Sequence, residues 1–341
     1  MNMKQLTKYR VAAVQAGSVF LDLKASVEKA CRLIKEAAEN DAKLIGFPEA
    51  FLPGYPWWIW QNDPLSGIPF YTKLYENAIV VGDEAFKTLS RCAKDNNITV
   101  CISGTEREGS SLYLTQFWFD QMGNYMGKHR KIKPTCPERT VWGDGDGSMM
   151  DVYDTSIGKV AGLMCSEHTV PINSAILGAQ GQQVHVAAWP PLPKELKGPL
   201  GLAANLASTK YLGISNQAFV LFCTQVMDQD TIDILCKGDE TLVNKLPTSA
   251  AGTGGTGGGA SYILNPIGQI ISEIIPPLEE GIVYGDIDLN DAIPGKMLID
   301  PAGHYARPGC MRFVLKRTPE KAVEFIGAKQ KTYMSYDEIQ G

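Results

Sequence analysis

Cys165 closes the apolar run of "GLMCSEHTVP" (162–171), and His168 follows three residues later. A thiol beside an imidazole invites a Cys–His dyad. A rival proton acceptor lies elsewhere in the chain. Glu49 ends the apolar run "LIGFPE", and Lys131 ends "YMGKHRK". Three reactive groups thus stand where three separate apolar strands run out, the rim at which α/β enzymes gather their ligands. A free thiol with a pKa of about 8.5 is mostly protonated at neutral pH, so attack on a weak electrophile needs a base close to sulfur. A carboxylate can take that proton and later return it to a leaving group. Negative charge developing on the attacked group needs a cation and a backbone donor. The chemistry assigns Cys165 as nucleophile and Glu49 as general base and acid, with Lys131 and the N–H of Ser166 as the stabilising donors. His168 follows Cys165 too closely to curl onto its thiol if a turn or helix start intervenes, so the proton is expected on Glu49. Glu167 reads as the acidic residue of a first helical turn, where the helix dipole favours it. His129, two residues before Lys131 and on the same strand face, reads as a hydrogen-bonded core histidine.

The elements that must carry these groups alternate. Residues 9–16 read as a buried strand, 22–40 as an amphipathic helix and 42–51 as a second buried strand. A helix over roughly 83–96 leads into a strand at 98–108, and 112–120 with 125–131 form a hairpin around "QMGN". The same rhythm returns in the second half, with two strands in 150–166 and further strands at 183–190, 218–226, 259–274 and 281–289. Helical stretches near 171–179 and 199–215 separate some of these strands. Continuous apolar strands alternating with helices imply two sheets with helices outside them, in one compact domain. The glycine-rich "AAGTGGTGGGASY" (250–262) lacks the Gly-Lys-Ser/Thr of a phosphate loop and reads as a loop giving close backbone approach. Beyond residue 300 the alternation is lost. The domain is therefore set at 1–300, and 301–341 reads as an extended, partly disordered arm.

Two aromatic stretches flank the reactive groups. "GYPWWIW" (54–60) follows Glu49, and "VHVAAWP" ends on Trp189 and Pro190. Tyr55, Trp57, Trp142, Ser166, His168, Trp189 and Pro190 are the candidate substrate contacts, lining an apolar pocket at the strand ends.

Composition narrows the partners. The net charge is −5 with no basic stripe, which argues against nucleic-acid or membrane-surface binding. No stretch reaches the ~18 apolar residues of a spanning helix, and the opening "MNMKQLTKYR" has no apolar signal core. The eight cysteines form no C-x-x-C pair and match no zinc-site spacing. A soluble, cytoplasmic chain with reduced thiols and no cofactor is expected.

"FPEAFLPGYP", "HRKIKPTCPERTVWGDGDGS", "GLMCSEHTVP", "VHVAAWP" and "GHYARP" resemble the signature blocks of the nitrilase branch of the carbon–nitrogen hydrolase superfamily, in the family's order and over about residues 9–310. The resemblance implies an α/β fold of the four-layer α-β-β-α sandwich type. By it Glu49, Lys131 and Cys165 match a Glu-Lys-Cys triad, and Glu138 matches an additional active-site glutamate. It further implies hydrolysis of a small-molecule nitrile to a carboxylic acid and ammonia through a thioimidate and a thioester. Self-association into dimers and spiral homo-oligomers, with the arm at the contact, is also implied. One departure stands out. The family has tryptophan after the nucleophile, where this chain has Ser166, so a bulky pocket wall is missing or supplied by Trp57, Trp142 or Trp189. Rival functions are cyanide hydratase or dihydratase and amide-releasing nitrilase, which share the triad. More distant ones are an amidase or carbamoyl hydrolase, a non-catalytic filament scaffold, and a redox-sensing Cys165.

Overall fold

Strands that read as unbroken apolar runs need cover on both faces, and that requirement organises the molecule. The structure, a computed structural model, describes residues 6–61, 63–321, 323, 324, 326, 327 and 334–340. Its strands in chain order are β1 (Lys8–Gln15), β2 (Ala42–Gly46), β3 (Thr99–Glu108), β4 (Ser111–Phe119), β5 (Tyr125–Arg130) and β6 (Tyr153–Thr155). They continue with β7 (Gly158–Met164), β8 (Val184–Trp189), β9 (Phe219–Thr224), β10 (Tyr262–Leu264) and β11 (Gly281–Asp288). The path runs β5-β4-β3-β2-β1-β9-β8-β7-β6, with β11 on β1 and β10 on β9. β1 and β9 touch through the single pair Gln15–Thr224, and there the sheet folds back on itself.

The two halves of the sheet face each other. Val11, Ala13, Leu44, Cys101 and Trp118 of the first half share one core with Val160, Val184, Val186, Leu221 and Cys223 of the second. Helices cover the outer faces. Leu23–Glu39 starts at Asp22, whose carboxylate accepts from Ala25 N at 2.9 Å, and buries Val27, Ala30, Ile34 and Ala37. Glu84–Asp95 starts likewise on Asp83 and packs beside it. Pro171–Ala179 and Leu202–Asn216 cover the second half, so the layers are α-β-β-α.

One expectation needs correction. The stretch 259–274 holds only the short β10. After it Asn265 Oδ1 accepts from the N–H groups of Ile267 and Gln269, turning the chain where a long strand was expected. The arm beyond residue 300 bonds to the rest of the chain. Arg317 pairs with Asp151, and Glu320 N donates to Asp146 at 2.8 Å. Residues 322, 325, 328–333 and 341 lie outside the described residues. The glycine-rich loop does make the close approach expected of it. Gly258, at φ +85°, brings its backbone to Pro191, where an added Cβ would come within 2.7 Å of the proline ring.

Gly46 ends β2 inside the sandwich, and a Cβ there would meet Val186 Cγ1 at 2.7 Å and Cys223 Sγ at 3.0 Å across the two halves. Overpacking of this kind costs ~1–3 kcal/mol. Gly46→Ala is therefore expected to lower the denaturant midpoint by that amount in equilibrium unfolding. An unchanged midpoint would mean that the halves do not press together at this point.

Candidate active site

Four segments deliver the reactive groups to one rim. Glu49 follows β2. Its N–H reaches Trp189 O at 3.3 Å, and its carbonyl accepts from Gln225 Nε2 at 2.6 Å. Both partners belong to the second half of the sheet, so the residue is tied across the sandwich. Lys131 follows β5, whose alternation sends Lys128 and Arg130 to Glu106 on one face and His129 and Lys131 inward on the other. Glu138 lies on the 3₁₀ turn Cys136–Thr140. Cys165 opens the 3₁₀ turn Cys165–Thr169 directly after β7, with φ +49°. A non-glycine residue in that region is held against steric preference, a pattern concentrated at functional sites.

The side chains meet in a fully buried cluster. Lys131 Nζ donates to Glu49 Oε1 at 2.8 Å and to Glu138 Oε2 at 2.7 Å. One oxygen of Glu49, one of Glu138 and the Cys165 sulfur lie within 4.8 Å of one another. Three donors of that kind could hold a metal ion by distance, but the Lys131 ammonium already fills the cation's place between the two carboxylates. The carboxylates are unequally served. Glu138 also accepts from Thr135 N at 2.7 Å and from Tyr55 Oη at 2.8 Å. Glu49 has only the lysine, and its Oε2 is buried without a hydrogen-bond partner among the described residues. Burial, reinforced by the Glu138 charge and opposed by Lys131, pushes the Glu49 carboxyl up to about 8. Burial and the Glu49 carboxylate push the Cys165 thiol well above its ordinary range, with Lys131 opposing. The resting sulfur is thus a thiol, and a carboxylate oxygen of Glu49 lies within 4.8 Å of it.

His168 is turned away from sulfur. Its Nδ1 donates to the Cys165 carbonyl at 2.8 Å, and its Nε2 lies 2.9 Å from His185 Nε2. Burial pulls His168 down to about 4, so the ring is neutral. A neutral His168 that donates from Nδ1 accepts at Nε2, which makes His185 the donor there. Gln182 Oε1 stands 3.1 Å from His185 Nδ1, and Gln182 Nε2 has no partner among the described residues; with His185 Nδ1 an acceptor, exchanging the two ends of the amide supplies the donor that this contact needs.

A small pocket of about 40 Å³ opens over the cluster, lined by Tyr55, Trp57, Trp60, Thr135, Pro190, Leu192 and Asn205 among others, with Glu138 and Cys165 at its base. Of the candidate substrate contacts, Tyr55, Trp57 and Pro190 line this pocket. Trp142, His168 and Trp189 are one layer behind. Trp142 donates to Thr105 Oγ1 at 3.2 Å and packs edge-on to Tyr55, while Trp189 stacks on His168 at 5.0 Å. These rings support the wall and do not line it. Ser166 stands beside Cys165, its Oγ 3.5 Å from Cys165 Sγ. Sequence reading missed Trp60, Leu192, Asn205 and Gln225. It gave Glu167 a helix-dipole role only, whereas its carboxylate bonds His129 and two backbone N–H groups. The shared strand face of His129 and Lys131 was the one available signal for that link.

With this geometry in place, comparison with known proteins is informative. Residues 10–296 match the carbon-nitrogen hydrolase family model. The chain is 46% identical to a nitrilase of Bacillus sp. (strain OxB-1), over 99% of this chain and 97% of that protein. It is 35% identical to an aliphatic nitrilase of Rhodococcus rhodochrous, over 98% of this chain and 86% of that one. Among solved structures, a carbon-nitrogen hydrolase from Helicobacter pylori G27 matches with a TM-score of 0.66 at 18% identity, covering 86% of this chain and 93% of that chain. At that identity the likeness speaks for the fold alone.

The two candidate bases titrate far apart, which gives a test that needs no substrate. Alkylation of Cys165 by iodoacetamide is expected to accelerate with a midpoint near 8, the Glu49 value, and not near 4, the His168 value. Peptide mapping identifies the alkylated residue, and His168→Asn is expected to leave the midpoint in place. A midpoint that follows the histidine substitution would return the imidazole to the reaction.

Proposed function

The chain belongs to the carbon–nitrogen hydrolase family, and from that premise we propose that it is a nitrilase, converting R–C≡N and two waters to a carboxylic acid and ammonia. The Cys165 thiol gives its proton to Glu49 as sulfur bonds to the nitrile carbon. Glu49 passes the proton to nitrogen, forming a thioimidate. The first water adds to that carbon, the C–N bond breaks, and ammonia leaves a thioester on sulfur. The second water then cleaves the C–S bond and restores the thiol. Lys131 and the N–H of Ser166 stabilise charge on the reacting nitrogen and then on oxygen; one such donor typically contributes ~3–4 kcal/mol. Glu138 holds Lys131 in place.

The observation that carries this reading is the inequality of the two carboxylates. Both oxygens of Glu138 accept hydrogen bonds, from three donors in all, whereas Glu49 keeps a buried oxygen with no partner among the described residues, in the cluster that includes the Cys165 sulfur. A general base needs an acceptor free of other donors, and of the two carboxylates Glu49 is the one that offers it. The pocket's aromatic and proline walls suit a nitrile with an apolar substituent. Self-association belongs to the same reading, supported by exposed Met297, Leu298, Met311, Phe313 and Val314 around and beyond residue 300. No described helix is long and apolar enough to cross a membrane.

Ammonia release from a panel of nitriles, amides and cyanide, with acid and amide products quantified, separates a nitrilase from an amide-releasing enzyme, a cyanide hydratase and an amidase. Acid is expected as the main product from nitriles. Cys165→Ala is expected to be inactive and folded, and Glu49→Gln to lose about 10²–10⁴ in rate, the span of general acid–base catalysis. Because the base works ionised, kcat/KM is expected to rise with pH through about 8, as the Glu49 proton is lost. A substantially active Cys165→Ala enzyme would remove the covalent route.

Ser166 supplies a second test. If its small side chain leaves room for the substituent, Ser166→Trp overpacks a formed pocket at ~1–3 kcal/mol. That converts to about 5- to 150-fold in kcat/KM for a bulky nitrile, with a small nitrile spared. Equal losses for the two substrates would mean that residue 166 does not face the substituent.

A further inference from the structure

The buried Glu167 carboxylate collects hydrogen bonds from both halves of the sheet. Its Oε1 accepts from Ile132 N at 2.8 Å, and its Oε2 from Met164 N at 2.9 Å. Ile132 is the residue after Lys131, and Met164 is the residue before Cys165. His129 Nε2 lies 3.0 Å from Oε1 and 2.9 Å from Oε2, straddling the carboxylate. One side chain therefore grips the backbone next to the ammonium and the backbone next to the thiol.

The partner is charged by geometry. His129 Nδ1 lies 3.3 Å from the Met149 carbonyl, which can only accept, while its Nε2 faces the carboxylate. A neutral imidazole has one N–H and would leave one of these contacts without a proton; the imidazolium satisfies both. In agreement, His129 is held above its ordinary value although burial opposes this, and Glu167 is held below its own by the His129 charge and the backbone donors, again against burial. The other ionisable groups that feel the pair are Glu49, Asp151, His168 and His185.

We infer that Glu167, clamped by His129, is a positioning residue that sets the distance and orientation of the Lys131 ammonium relative to the Cys165 thiol. The inference rests on the proposed roles of those two groups. Other bonds hold the two residues singly, Lys131 N donating to Leu114 O at 2.9 Å and the Cys165 carbonyl accepting from His168 at 2.8 Å, whereas Glu167 bonds the backbone beside both. A carboxylate is required. It presents acceptors to two N–H groups and to an imidazolium at once, whereas a glutamine would turn its own N–H₂ group against one of those donors.

The test uses Glu167→Gln, His129→Leu and His129→Gln in the full chain, with steady-state kinetics on a nitrile, circular dichroism, and the pH dependence of Cys165 alkylation. Misplacement by about 1 Å costs on the order of 10²-fold in rate. Glu167→Gln and His129→Leu are therefore expected to lose about 10- to 100-fold in kcat, with KM changed less than about threefold. Their alkylation midpoints are expected to move, which a purely structural role would not cause. His129→Gln keeps a donor toward Glu167 and is expected to recover part of the loss. Native kcat in all three variants, or equal losses in the two His129 variants, would overturn the inference. If Glu167→Gln does not fold, the order native, His129→Gln, His129→Leu decides it alone. Should the native protein release no ammonia from any nitrile, the nitrilase reading fails, and the alkylation rates of the same variants still read the positioning.

Discussion

A single ammonium buried between two carboxylates is the constraint to which the rest of the site answers. The Lys131 side chain is 0% exposed, and so is that of Glu49. Two negative charges and one positive charge cannot rest easily in such a place, and breaking one buried pair typically costs ~3–5 kcal/mol because the partner charge is left behind. The chain relieves the excess unequally. Glu138 is surrounded by donors, whereas Glu49 is left one donor short among the described residues. On the proposed reading the mobile proton belongs to Glu49, and an ordinary ion pair becomes an acid–base device.

The double sheet makes that arrangement affordable in structural terms. Each half supplies part of the cluster at its strand ends, and the halves are bound together at the rim. Trp189 O accepts from both Glu49 N and Gln225 N, Gln225 Nε2 reaches Glu49 O, and Glu167 joins the ends of β5 and β7. Beneath the Cys165 thiol a neutral chain of His168, His185 and Gln182 holds the Cys165 carbonyl. An ionic grip on one side of Cys165 and a neutral one on the other keep a left-handed residue in place.

Much of this was legible in the sequence. Glu49, Lys131 and Cys165 are reactive groups at the ends of apolar strands, and the strand–helix rhythm predicted the layers into which they fall. Glu138 lies on a 3₁₀ turn that no strand end marks, so only the family resemblance pointed to it. The link between His129 and Glu167 depends on how the two halves face each other, and the strand face that His129 shares with Lys131 marks only one end of it. Trp189 ends β8 and Trp142 follows the 3₁₀ turn Cys136–Thr140, and both stand behind the residues that line the pocket; aromatics look alike in sequence whether they line a cavity or back it. Long β-patterning misled at 259–274, where the Asn265 side chain captures the backbone and turns it.

On the proposed reading the mobile proton resides on Glu49. Isotope-edited infrared difference spectra of ¹³C-glutamate protein, recorded across a pH titration, observe that proton directly. A buried protonated carboxyl is expected near neutral pH, lost with a midpoint near 8 and missing from Glu49→Gln. A protonated band that survives in Glu49→Gln and disappears in Glu138→Gln would contradict it.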